Sequence, residues 1–216
     1  MPRFSIIIPH YDGSITDTVL KRGLECLQDQ VTDYLRPYRD FEVLLYHDGP
    51  ESRDPIDLSV YSFPIFYKAT KKRYNNWGHS LRDLGIKEAR GQYIVHYNPD
   101  NVLYDNALYE IEETLNKKHT VEITQNAVIF PIYLNGVLGD GRKIMRTYSY
   151  EDRFLMTGYP PVKYNIDCMQ LVMRRDLWLS EGGWKDKSEQ SDGNMYPYFV
   201  AKYGARYISE VLGEHN

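Results

Sequence analysis

The chain has 216 residues, 42% of them hydrophobic, enough to bury one full core within a single domain. A net charge of −4 supplies no basic field to grip a nucleic-acid backbone, which argues against a nucleic-acid binder. Cys26 and Cys168 lie far apart without zinc or disulfide spacing and read as reduced thiols of an intracellular protein.

The first apolar run, Arg3 to Ile8, has the character of a strand buried on both faces, and Pro9 is expected to end it. It is too short for a signal peptide or a membrane span, so a cytoplasmic protein without a membrane span is expected. A breaker-rich loop, Pro9-His10-Tyr11-Asp12-Gly13, follows. Val19, Leu20, Leu24, Leu27 and Val31 then recur at helical spacing, with Thr16 or Asp17 as N-cap. Phe41 to Tyr46 is a second buried strand running into His47-Asp48-Gly49-Pro50. Strand, helix, strand with short loops is the βαβ pattern. Both strands finish in an acidic loop at the same sheet edge.

Pro64 to Ala69 is a weaker strand, leading into the basic run Lys68 to Arg73, either a solvated loop or an anchor for phosphates. Trp77-Gly78 precede a helix carrying Leu81, Arg82, Leu84 and Ala89, which Gly91 is expected to stop. Arg82 could meet a ligand or a structural acid. Tyr93 to Tyr97 is β-branched and aromatic, a central strand. It passes into Asn98-Pro99-Asp100-Asn101, and a helix is expected near 104–117. A carboxylate at the carboxyl end of a central α/β strand sits where ligands bind. Asp100 could hold Mg²⁺ or Mn²⁺ against a phosphate, or close an Asx turn.

Beyond that helix the pattern turns mixed. Ala127 to Leu134 and Arg142 to Tyr148 read as strands, joined by turns at Asn135-Gly136 and Gly139-Asp140-Gly141. Tyr150 to Asn165 reads as a long loop. Asp167 to Met173 reads as a strand, Arg174 to Ser180 as a short helix, and Ser191-Asp192 as the opening of a last helix with Pro197 near its start. A final strand is expected over Arg206 to Leu212. Most of the 20 tyrosines suit half-buried packing, with some left to form a sugar- or base-stacking surface.

Taken in order, Ile-Ile-Ile-Pro9-His-Tyr11-Asp12, His-Asp48-Gly, Trp77-Gly78 with Arg82, Asn98-Pro-Asp100, Gly182-Gly183-Trp184, Ser191-Asp192 and Gly213-Glu-His215 resemble the nucleotide-sugar glycosyltransferases of the GT-A fold, similar to family 2. The resemblance spans nearly the whole chain. It implies an α/β fold: a single Rossmann-like GT-A domain over 1–216, with a mixed central sheet and helices on both faces. Residues 1–102 would form the nucleotide-binding half and 103–216 the acceptor-binding half. It implies that Pro9, Tyr11 and Asp12 contact the nucleobase, with Tyr11 stacking on it, and that Asp48 accepts a hydrogen bond from a uracil. Trp77, Gly78, Arg82 and Asn98 would complete the donor site. Asp100 would coordinate Mn²⁺ or Mg²⁺, with His215 completing the metal site or lying in a solvent-exposed tail. Asn98 stands where many members carry a first Asp, so the metal motif is reduced to one carboxylate. Asp192 would be the catalytic base, or else a plain helix N-cap. Gly183 and Trp184 would belong to an acceptor wall.

The chemistry fits those residue types. A leaving diphosphate gathers negative charge that a divalent ion stabilises. An acceptor hydroxyl attacks only as a carboxylate takes its proton, and in-line attack inverts the anomeric centre. The expected partners are a UDP-sugar-type donor and a glycan, lipid-linked or other hydroxyl acceptor. Two alternatives stand beside this: a sugar-phosphate nucleotidyltransferase, and a non-catalytic nucleotide- or carbohydrate-binding module. The first should carry a Gly- and basic-rich phosphate loop after strand one, which Pro9-His10-Tyr11-Asp12 lacks.

Overall fold

The computed structural model describes residues 1–52, 54–117, 125–135 and 154–216. Its centre is a seven-stranded mixed sheet. β1 (Phe4–His10), β2 (Phe41–His47), β3 (Ile65–Ala69) and β4 (Tyr93–His96) form its parallel part. β6 (Ala127–Ile129), β9 (Leu171–Arg174) and β10 (Arg206–Tyr207) extend it, in the order β10-β6-β9-β4-β1-β2-β3. β9 runs antiparallel to both β4 and β6. A second sheet joins β5 (Val102–Leu103), β11 (Gly213–His215), β7 (Ile132–Leu134) and β8 (Phe154–Met156) in that order.

Helices cover both faces of the large sheet. α1 (Asp17–Thr32) and α3 (Ala107–Asn116) bury Leu20, Leu24, Leu27, Leu108 and Ile111 with Phe4, Ile6 and Val95. α2 (His79–Glu88), α4 (Arg175–Ser180) and α5 (Ser191–Tyr203) bury Leu81, Trp178 and Tyr196 with Ile7 and Ile94. Alternate residues of β1 and β4 thus serve opposite cores, which explains their continuous apolar runs. Each such side chain, fully buried, contributes about 1.5–3 kcal/mol. Thr16 caps α1, its hydroxyl accepting from Val19 N at 3.3 Å.

The structure revises several expected boundaries. β1 continues through Pro9 to His10. Odd residues of β1 face β4, as Tyr97 N donating to Ile7 O shows, and β4 leaves the ladder before Pro9. The missing proline N–H therefore faces no strand. Ala89, not Gly91, ends α2. The helix expected near 104–117 starts only at Ala107, and Val102–Leu103 before it form a strand. The run 127–134 splits at Phe130-Pro131 into β6 and β7, which enter different sheets. The expected loop 150–165 contains β8, paired with β7. Residues 168–170 form a 3-10 turn before β9. Pro197 lies inside α5 rather than near its start. The expected strand 206–212 is only Arg206–Tyr207, and the terminal residues form β11. The expected strand 142–148 and the turns from Gly136 onward lie outside the described residues.

Candidate active site

The carboxyl ends of β1, β2 and β4 open into a cleft of about 680 Å³, within the range of small-ligand sites. Pro9, Tyr11, Asp48, Trp77, Gly78, Asn98 and Asp100 line it. Gly78 is required here: at φ 77° a Cβ would lie 2.7 Å from Pro9. Trp77 is 65% exposed and held at φ 59°. Arg73 lies 3.6 Å above the Tyr11 ring, so one face of that ring already carries a guanidinium.

Two of the acids named from sequence already accept hydrogen bonds from neighbouring loops. Asp48 accepts from Tyr74 N at 2.8 Å and Asn75 N at 2.9 Å, fixing the loop before α2. Asp12 accepts from the backbone and hydroxyl of Ser52 at 2.7 and 2.6 Å and meets His47 at 3.2 Å. Those bonds hold its carboxyl at about 2. Asp12 does not line the cleft, because its side chain is spent on bracing the first loop. Arg82 is also beneath the cleft rather than in it. It is 1% exposed and donates to Trp77 O at 2.7 Å and Asn98 Oδ1 at 2.6 Å. A buried charge is costly without compensation, and Arg82 has no carboxylate within ion-pair distance among the described residues. Its field falls instead on Asp167 and Asp192.

Around Asp100, α1 and the second half of the chain supply further groups. Arg22 donates to Asp100 O at 2.6 Å, tying the loop to α1. β11 pairs antiparallel with β5, Glu214 opposite Val102, so one further step brings His215 beside Asn101. Asn216 Nδ2 donates to Asp100 O at 2.8 Å. His215 is therefore in a strand and not in a loose tail. Its Nδ1 lies 3.3 Å from Asp167 Oδ2. Burial lowers the imidazole's affinity for a proton, but Asp167, Asp100 and Asp192 outweigh it and raise His215 to about 9. Burial likewise pushes Asp167 up, and the charge and hydrogen bond of His215 with the Met169 N–H reverse this, leaving it at about 2.

Asp192 occupies the first turn of α5 and is not its N-cap, which is Gln190. Its Oδ1 accepts from Gly193 N at 2.6 Å. Burial first, then the charge of Asp167, raise it to about 7. Burial also raises Asp100, against the pull of His215 and Arg22. His215 thus interacts with Asp100, Asp167 and Asp192, and Asp100 among them lines the cleft. Asp167 was missed in the sequence, where 167–173 read as strand. A signal existed: Asp167 with Gln170 three residues on is a capping-box spacing, and both of its bonds form.

Trp184 requires correction. It is 1% exposed, stacked on Trp178 at 5.4 Å and on His79 at 5.1 Å, with Nε1 donating to Ser191 Oγ at 3.1 Å. An acceptor wall needs an exposed face, and Trp184 offers none. Gly183 borders a separate hollow of about 210 Å³ with Tyr198 and Lys185.

Among the described residues, no three His, Cys, Asp or Glu side chains are close enough to coordinate a metal unaided. Asp100 still suits a hard cation: its side chain bonds to no other residue's side chain among the described hydrogen bonds, and it faces the cleft beside His215.

A parallel sheet whose strand ends form the cleft, with an acidic cluster brought in by a mixed second half, is the GT-A fold. The family model described as Glycosyl transferase family 2 matches residues 5–179, and the chain belongs to that family. Among solved structures it is similar to S. aureus TarS 1-349 in complex with UDP-GlcNAc (14% identity, TM-score 0.61, 100% of this chain and 58% of that one). It is also similar to the mannosyltransferase PcManGT from Pyrobaculum calidifontis in complex with GDP-Man and Mn²⁺ (14% identity, TM-score 0.65, 99% of this chain and 56% of that one). The chain therefore spans less than two thirds of either. A stretch of 104 residues is 29% identical to part of ATP synthase subunit alpha 2 of Albidiferax ferrireducens, covering 47% of this chain and 20% of that protein. No helix among the described residues is long and apolar enough to cross a membrane.

Proposed function

We propose that the chain is an inverting glycosyltransferase, moving a sugar from a nucleoside-diphosphate sugar, of UDP type, to an acceptor hydroxyl. One observation carries this reading: His215, 3.3 Å from Asp167, links acids from three distant segments, Asp100, Asp167 and Asp192, and Asp100 among them lines the cleft. The nucleotide would lie across the ends of β1 and β2, with Tyr11, Trp77 and the Asp48-braced loop around it. Asp100 and His215 would hold a divalent cation, Mn²⁺ or Mg²⁺, with donor oxygens completing its shell. When bound, that ion would supply positive charge to the leaving diphosphate. His215 would hold such an ion through a neutral ring, giving up the proton that its neighbouring acids favour.

Asp192 would take the acceptor proton. A carboxyl raised to about 7 is matched to that work at neutral pH, where it is both partly ionised and basic enough to accept. Arg82 would act through others, keeping Asp192 from rising further and fixing Asn98. The mannosyltransferase and TarS complexes support a nucleotide-sugar donor, in keeping with the family. The test is release of UDP from UDP-GlcNAc, and of GDP from GDP-Man, with water as acceptor. Slow metal-stimulated release from at least one donor is expected, and a binding module would show none.

A further inference from the structure

With Trp184 inside the core, another surface must receive the acceptor, and the loop 157–165 is placed to do so. It is a built loop: Thr157 Oγ1 donates to Tyr159 O at 2.9 Å, and Asn165 Nδ2 donates to Pro160 O at 2.9 Å. It presses on the first turn of α5. A Cβ on Gly193, the residue after Asp192, would lie 2.8 Å from Lys163 Cα, so only glycine permits this approach. Gln190 Nε2 donates to the Tyr164 hydroxyl at 3.1 Å from the other side of that turn. Three residues beyond Tyr164 the chain reaches Asp167. The loop therefore touches the site at Gly193 and runs into it at Asp167.

Its aromatic groups face solvent. Tyr164 is 60% exposed and Tyr159 64%, the latter edge-on to Tyr207 at 4.6 Å. Tyr164 has φ 67°, a conformation that a bulky side chain adopts only at a cost. Among the described residues two other non-glycine positions share it, Asn75 and Trp77, and both line the donor cleft.

We propose that this loop, headed by the Tyr164 ring, is the acceptor platform, and that the acceptor is a saccharide. The assignment rests on Asp192 being the base. A tyrosine ring offers an apolar face to the C–H face of a sugar, and Lys163, Asn165 and Gln190 supply a hydrogen-bonding rim for its hydroxyls. An aliphatic or lipid acceptor would call for a continuous hydrocarbon surface, whereas between the two tyrosines the exposed Pro160 and Val162 are separated by the buried Pro161 and followed by the exposed, charged Lys163.

The test is ligand-observed saturation-transfer NMR with methyl glycosides of glucose, galactose, mannose and N-acetylglucosamine, in the presence of UDP and Mg²⁺. Wild type is compared with Tyr164→Phe, which keeps the ring, and Tyr164→Asn, which removes it while suiting the positive φ. Saturation of at least one glycoside is expected in wild type and Tyr164→Phe, with affinity at least about tenfold weaker in Tyr164→Asn. UDP affinity, measured by calorimetry on the same samples, should be equal in all three. Binding of no glycoside, or equal binding to Tyr164→Asn, would overturn the platform while UDP binding keeps the donor assignment intact. Failure of wild type to bind UDP would remove the functional reading itself, and the platform with it.

Discussion

Asp12 and Asp48 differ instructively from Asp100, Asp167 and Asp192. All five lie at or just beyond strand ends or helix starts, but the first two each accept two bonds from N–H and O–H groups of neighbouring loops. They brace loops. In the second group burial and mutual repulsion work against ionisation, and the proton demand is divided unequally: Asp167 keeps its charge against His215, and Asp192 is pushed toward neutrality. A carboxylate's role in this protein is set by what else its oxygens touch.

Substitutions can break that contrast. The largest effect is expected for Asp192→Asn, with turnover of a nucleotide-sugar falling about 10²–10⁴-fold by steady-state assay while UDP affinity is kept. Loss of nucleotide affinity would move Asp192 into the donor site. Asp48→Ala should instead act on stability. Two bonds to a buried carboxylate are lost, at a cost of about 2–4 kcal/mol, or a fall in Tm of roughly 4–16 °C by calorimetry. Asp100→Ala should abolish the gain in UDP affinity that Mn²⁺ confers, measured by calorimetry with and without the ion, and leave metal-free affinity unchanged.

The smallest effect concerns His215. Its folded pKa, about 9, exceeds the unfolded value of 6.5, so its contribution to stability is full below 6.5 and is lost as pH rises through 9. His215→Gln should remove that part of the fall in metal-free Tm between pH 6.5 and 9.

The parallel half was readable because its strands are buried on both faces: Ile6-Ile7-Ile8 and Val43-Leu44-Leu45 have no alternative use. The second half was not. β6 and β7 lie end to end in one apolar run, and only the change of sheet at Pro131 separates them. β8 and β11 have three residues each, too few to show a period. Of the site, Asp100 could be found because it follows a central strand, and the resemblance pointed to Asp192. Asp167 was hidden because an acid before an apolar run looks like a strand start. Asp12 and Arg82 were placed at the ligand because sequence does not reveal that Ser52 or Asn98 already holds them.

The central claim is that Asp167 and Asp192 share one site, and the pH dependence of kcat/KM for donor hydrolysis tests it most directly. Wild type should show a limb rising to a plateau through about pH 7, as Asp192 loses its proton. In Asp167→Asn, with the repelling charge gone, that limb should move down toward the ordinary carboxylate range. A limb that is absent, or that stays where it was in Asp167→Asn, would contradict the account.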